Sequence, residues 1–168
     1  DKATVYISMS RYKFNDFSSY TYKSVDYGKT WTKTGSGIEA DDFIKVIRED
    51  KKVKDLLYAG TERGFYISFN GGATFGRMQL NLPIVPVTDL IIKDNDLVAA
   101  TAGRAFWILD DLASIQQSKG IFDASVKSGS TNLMICEICG AIRFYAMRPG
   151  PYTFLPTHLF HPAVPKQG

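Results

Sequence analysis

No apolar run in this sequence comes near the ~20 residues that a membrane-spanning helix needs, so no such span is expected. Charge of one sign is also scarce. Twenty Lys and Arg stand against seventeen Asp and Glu, a net charge of +3. The cations are scattered, and Lys51, Lys52 and Lys54 form only a short turn cluster. Without a basic stripe, no nucleic-acid partner is expected. Long helical periodicity is missing. Cys and His are few, two of each. No signal peptide is expected at the opening Asp1-Lys2, which lies at the edge of a strand-like pattern, and the chain reads as a fragment or a mature segment, so this says little about secretion.

What is present points to β-structure. Hydrophobic residues make up 45% of the 168 and charged residues 22%, a globular balance for one domain or a piece of one. Nine Tyr, eleven Phe and two Trp suit half-buried strands. Gly and Asp/Asn clusters recur at short intervals, as tight turns between strands require.

The turns repeat. Ser24-Val25-Asp26-Tyr27-Gly28-Lys29-Thr30-Trp31 returns 44 residues later as Ser68-Phe69-Asn70-Gly71-Gly72-Ala73-Thr74-Phe75. The shared pattern is Ser-x-Asp/Asn-x-Gly-x-Thr-aromatic. Asn cannot serve as a general base, yet it fills the place of the acid. What the position keeps is a side-chain oxygen that accepts backbone hydrogen bonds in a turn. Asp26 therefore reads as a turn brace, not a catalytic carboxylate.

The strands repeat too. Asp42–Arg48, Leu56–Thr61, Phe65–Phe69 and Phe75–Leu80 form one four-stranded unit. Val87–Lys93, Leu97–Thr101 and Arg104–Leu109 begin another, with Asp110-Asp111 as a degenerate form of the repeated turn. Leu97-Val98-Ala99-Ala100-Thr101 follows Leu57-Tyr58-Ala59-Gly60-Thr61 by 40 residues. An earlier partial unit holds Thr4–Ser8, Tyr20–Ser24 and Trp31–Thr34. Four antiparallel strands per ~40–50 residues is the arithmetic of a β-propeller blade. The expected fold is all-β, a partial propeller of about two and a half blades. The units are 1–38 (partial), 39–82 (full) and 83–117, with 118–168 as a C-terminal extension. One helical turn is expected at Ser114–Ser118. Open blades expose faces and edges, so the expected partners include the remaining blades of a longer chain or other copies.

The eight-residue signature resembles the Asp-box, or BNR repeat, of sialidases, xyloglucanase-type glycosidases, sortilin-like receptors and photosystem-assembly propellers. The wider stretch VIRED…LLYAGTERGFYISFNGGATF…LNLPIVPVTDLIIKDNDLVAATAGRAFWILDDL resembles the last blades of bacterial sortilin-like propellers, often labelled glycosyl hydrolase. The resemblance implies a secreted or periplasmic protein. It implies that Ser24, Asp26, Gly28, Thr30 and Trp31, with Ser68, Asn70, Gly72, Thr74 and Phe75, are structural. Gly28 would permit positive φ, and Trp31 would bury between blades. Family members often have His at the position of Ala102 and Asp at that of Asn70.

The same topology places binding on the face opposite those turns. That face would collect the second-to-third turns and the between-blade loops. The insert RYKFNDFSSY offers Tyr12, Phe14 and Phe17 beside Asp16, and Arg63 and Arg104 lie in later loops. Aromatic platforms with polar neighbours suit sugar rings or peptide side chains, so the expected function is a non-catalytic scaffold for protein or glycan. The alternative is a glycoside hydrolase fragment, which needs two carboxyls about 5–10 Å apart. Asp16, Asp41, Asp42, Glu62 and Asp89 are the candidates. No sialidase-type Tyr-Glu pair or arginine triad can be assembled.

Cys136-Glu137-Ile138-Cys139-Gly140 is a Cys-x2-Cys knuckle, and His158-Leu159-Phe160-His161 follows. Two thiolates and two imidazoles would make a tetrahedral zinc site. The His-x2-His spacing is tighter than usual, and buried free thiols or a local disulfide are the other readings. No cofactor is expected.

Overall fold

The computed structural model describes residues 2–127 and 144–147. The regular structure of the described residues is mostly β, in three antiparallel sheets. The first holds β1 (Val5–Arg11), β2 (Asp16–Ser24) and β3 (Thr32–Thr34) in that order. The second holds β4 (Ile44–Glu49), β5 (Leu57–Thr61), β6 (Phe65–Ser68) and β7 (Gly76–Arg77). In the third, β8 (Val87–Lys93), β9 (Asp96–Thr101) and β10 (Phe106–Leu109) are followed by β11 (Phe144–Met147). A helix, α1 (Ala113–Lys127), lies between β10 and β11 in sequence. Each sheet is a meander of sequential neighbours, and the sheets stack face to face. This is an all-β, partial propeller-like fold.

Two apolar layers hold the stack together. Between the first and second sheets lie Ile44, Leu57, Ala59, Tyr66 and Phe75, with Tyr6 and Ile38 against them. Between the second and third sheets lie Val46, Tyr58, Phe65, Ile67 and Met78, facing Val87, Leu90, Ile92 and Leu97. Fully burying one such side chain contributes about 1.5–3 kcal/mol. The second sheet is covered on both faces, which is why β5 and β6 read as continuous apolar runs and are buried along their whole length.

Polar straps align the layers. Arg48 donates from Nε to the Leu90 carbonyl at 2.8 Å and from Nη2 to Asp89 Oδ1 at 2.7 Å. Lys51 donates to the Ile92 carbonyl, and Lys52 to Asn95 Oδ1 at 2.7 Å. The turn lysines therefore bridge to the third sheet. Between the first and second sheets, Arg77 Nη1 donates to both carboxylate oxygens of Glu39 at 2.8 Å. The linker after β3 runs beside the second box turn, with Gly35 N donating to the Gly72 carbonyl at 2.8 Å and Phe75 N to the Ser36 carbonyl at 2.8 Å.

Several expectations need correction. Trp31 does not bury between blades. It is 40% exposed, whereas its counterpart Phe75 is 4% exposed. Phe75 faces the first sheet, but no described element packs on the face of the first sheet that carries Trp31. The stretch Arg11–Ser19 is not a loose insert. β1 and β2 continue into it, Arg11 pairs with Asp16, and the 3-10 turn Tyr12–Phe14 closes the hairpin. The fourth strand of the second sheet is two residues, Gly76–Arg77, rather than Phe75–Leu80. The helical segment is fifteen residues, not one turn. Leu112 and Ile115 join the second apolar layer, and Phe122 stacks on Phe69 with centroids 5.2 Å apart. The third sheet takes its fourth strand from beyond residue 117, since β11 pairs with β10 through Phe106↔Met147 to Leu109↔Phe144.

Candidate functional site

The two box turns come first, because they decide what Asp26 does. In the first turn Ser24 Oγ donates to Asp26 Oδ1 at 2.7 Å and accepts from Gly28 N at 2.9 Å. Thr30 donates to Asp26 from its backbone N (2.9 Å) and from Oγ1 (2.6 Å). In the second, Ser68 Oγ donates to Asn70 Oδ1 at 2.9 Å and accepts from Gly72 N at 3.0 Å, and Thr74 N donates to Asn70 Oδ1 at 2.9 Å. Only the last bond reverses, since Asn70 Nδ2 donates to Thr74 Oγ1 at 2.8 Å. An amide has a donor where a carboxylate has none, and the threonine hydroxyl rotates to suit. Gly28 and Gly72 both sit at φ +85, where a Cβ would be strained.

The Thr30 and Ser24 donors hold the Asp26 carboxyl at about 2, below its ordinary value of 3.8. A depressed carboxylate contributes stability that is present above the unfolded-state value and is lost as pH falls through the folded one. Wild-type stability is therefore expected to drop between about pH 4 and pH 2 by an amount that Asp26→Asn abolishes. Paired acid-denaturation curves measure this. Curves of equal slope for both proteins would refute it.

On the opposite end of the sheets, a groove of about 410 Å³ opens between the β1–β2 hairpin and the second sheet. Its lining is Ser8, Ser10, Tyr12, Phe17, Phe43, Ile44, Lys45 and Glu62. The groove forms because the hairpin reaches past its own sheet. Tyr12 then stacks on Phe43, which precedes β4, with ring centroids 6.1 Å apart and planes 9° from parallel. Lys45 lies with its ammonium 5.8 Å from the Phe43 ring centroid and pairs with Glu62.

The structure thus brings Tyr12, Phe17 and Glu62 together. Phe14 is exposed at the hairpin tip, under the Arg11 guanidinium at 5.8 Å. Arg63 and Arg104 are exposed in their turns. Arg63 contributes its backbone N to Asp42 Oδ1 at 3.0 Å, and the Arg104 carbonyl accepts from Trp107 Nε1 at 2.9 Å. Ser8, Ser10, Phe43 and Lys45 were not anticipated. Phe43 and Lys45 carried no signal beyond their place in an apolar-rich strand pattern.

The candidate acids do not converge. Asp42 is fully buried and accepts from Thr61 Oγ1 and Arg63 N, each at 3.0 Å. Asp16 accepts from Tyr20 Oη at 2.7 Å and Ser18 N at 3.1 Å, and these bonds lower its carboxyl below the ordinary value. Asp89 belongs to Arg48, on the third sheet. Asp41 is exposed in a left-handed turn, at φ 63. Glu62 is the one carboxylate lining the groove among the described residues, and Lys45 neutralises it. Burial and the Asp42 carboxylate push the Tyr66 hydroxyl up to about 12, so it stays protonated at neutral pH. Cys136, Cys139, His158 and His161 lie outside the described residues, and among the described residues no cluster of three potential metal ligands occurs. No described helix is long and apolar enough to cross a membrane.

No family model and no curated protein matches this chain. Among solved structures it is similar to the crystal structure of the Niastella koreensis GH74 enzyme, at 16% identity and a TM-score of 0.47, over 65% of this chain. The chain spans 18% of the length of that enzyme.

Proposed function

We propose that this chain is a binding scaffold of the BNR-repeat, sortilin-like kind, in which the groove between the first two sheets takes a glycan or an extended peptide. The observation that carries this reading is the groove's composition. Tyr12, Phe17 and Phe43 supply flat apolar surface, and Ser8, Ser10, Lys45 and Glu62 supply hydrogen-bonding groups at its rim. Its volume, about 410 Å³, lies within the range typical of ligand pockets. A glycoside hydrolase needs a second carboxyl across the groove from the first. Here Glu62 has no such counterpart among the described residues: Asp16 and Asp42 brace turns, and Asp89 pairs with Arg48. Secretion or periplasmic export fits a glycan or peptide ligand and belongs to the same proposal.

Isothermal titration with a neutral β-glucan oligosaccharide and with a short extended peptide tests the reading. Saturable binding of either is expected. A stacked aromatic contributes about 1 kcal/mol, or roughly fivefold in affinity, so Tyr12→Ala and Phe17→Ala should each weaken binding by about that factor. Binding unchanged in both variants, or none with either probe, would exclude the groove. Release of reducing ends that depends on Glu62 would replace the scaffold by the hydrolase.

A further inference from the structure

We propose that Asn70-Gly71 is a site of spontaneous deamidation, which converts the second box turn into the aspartate form of the first at a rate set by the turn's own hydrogen bonds. The inference goes beyond the ligand reading and does not depend on it.

The sequence around the site is shaped by packing. Of the five Asn in the chain, Asn70 alone precedes a glycine; the others precede Asp or Leu. In the first turn the residue equivalent to Gly71 is Tyr27, which lies at φ 60 and is 73% exposed. Gly71 has nearly the same backbone, at φ 65, but it is buried. A Cβ built there would sit 2.6 Å from Lys23 Nζ and 2.7 Å from Asp55 Oδ1. Lys23 and Asp55 pair with each other at 3.4 Å, joining the first sheet to the second. A side chain at 71 would push that pair aside, so glycine belongs to the contact between the sheets. The same glycine leaves the backbone nitrogen after Asn70 without a Cβ to shield it.

The reaction needs only water. The Gly71 nitrogen, on losing its proton, attacks Asn70 Cγ. A bond from that nitrogen to Cγ forms, the bond from Cγ to Nδ2 breaks, and Nδ2 takes up the proton and leaves as ammonia. Water then opens the cyclic imide at one carbonyl to give aspartate, or at the other to give isoaspartate.

The fold opposes the first step. Asn70 Oδ1 accepts from Ser68 Oγ and from Thr74 N, each at 2.9 Å, and Nδ2 donates to Thr74 Oγ1 at 2.8 Å. Gly71 N donates to the Asp55 carbonyl at 2.8 Å. The electrophile is tied to Thr74 and the nucleophile to Asp55, so attack requires the turn to open locally. The aspartate product has a place waiting for it. Asp26 accepts the matching bonds from Ser24 and Thr30 in the first turn, and there the threonine hydroxyl donates. Isoaspartate lengthens the backbone by one atom and has no such counterpart.

Peptide mapping by mass spectrometry, on the full chain incubated at mildly alkaline pH, separates the Asn, Asp and isoaspartate forms of residue 70. The folded chain is expected to deamidate there at least about tenfold more slowly than the chain in urea. Thr74→Val removes one bond from the amide and should speed the folded reaction about fivefold, while leaving the rate in urea unchanged. Thr74 is exposed, so this variant should melt with wild type. Asn70→Asp makes the product directly and should melt at or above wild type. Equal rates in the folded and unfolded chain, or a folded rate that Thr74→Val does not alter, would overturn control by the turn. An Asn70→Asp variant that melts well below wild type would overturn the conversion, because the second turn would then reject the carboxylate.

Discussion

Asp50→Ala is expected to destabilise the fold by about 3 kcal/mol, because it strands the buried Tyr58 hydroxyl and three half-buried donors that bind this side chain. Asp50 follows β4 and is 6% exposed. Its Oδ1 accepts from the backbone of Lys52 and of Val53, each at 2.8 Å, and so shapes the turn into β5. Its Oδ2 accepts from Tyr58 Oη at 2.9 Å and from Gln116 Nε2 at 3.0 Å. One carboxylate thus joins a turn, a core strand and helix α1. The Tyr58 hydroxyl is raised well above its ordinary value by burial and by this carboxylate, so it stays a donor. Tyr58→Phe and Gln116→Ala each remove one bond from a neutral donor to the carboxylate while leaving the others, and should cost about 1.5 kcal/mol apiece. Urea denaturation of the three variants measures the differences. A loss below about 1 kcal/mol for Asp50→Ala would mean that water replaces the carboxylate and the joint is not closed.

Gly60→Val should be as damaging, for a steric reason. Gly60 is buried in β5, where Val87 of the third sheet packs against it. A Cβ built there would sit 2.6 Å from Val87 Cγ1 and 2.8 Å from Val46 Cγ1. Both neighbours are β-branched and buried, so neither can swing away. Overpacking of this order costs about 1–3 kcal/mol, and the two further methyl groups of valine place this case at the upper end. The second change Val87→Ala should return part of the loss in the Gly60→Ala background, because it vacates the space the new methyl needs. Thermal melts of the single and double variants decide it. If Val87→Ala and Gly60→Ala losses simply add, the two residues are not in competition for that space.

The parts of this fold that were legible in the sequence are those specified locally. Ser24 to Trp31 and Ser68 to Phe75 repeat the residues that a braced hairpin turn requires, and each such turn defines the two strands it joins. β5 and β6 are short apolar runs between turn signals, which suffices for strands buried on both faces. Other parts depend on distant neighbours. Helix α1 exceeds the single turn that the sequence suggests, since among the described residues its apolar contacts are Leu112, Ile115 and Phe122, diluted by Gln116, Gln117, Lys119 and Gly120. Trp31 and Phe75 share one motif position, and only the packing of whole sheets separates the exposed ring from the buried one. For the candidate site, Tyr12 and Phe17 announced themselves as aromatics in an apparent loop. Phe43 and Lys45 did not, because the groove exists only where the hairpin meets a strand some thirty residues on. The acids were legible as carboxylates but not as braces, since the donors to Asp42 lie about twenty residues away.

The third sheet is assembled on a different schedule from the other two. Its first three strands are adjacent in sequence, but 34 residues, helix α1 among them, separate β10 from β11. Closing a longer loop adds entropy only logarithmically, yet the pairing must wait until that length of chain has been made. During synthesis β10 therefore presents a bare edge to the ribosome's surroundings until residue 147 emerges, and a nascent chain halted before Phe144 carries an unpaired strand that invites self-association.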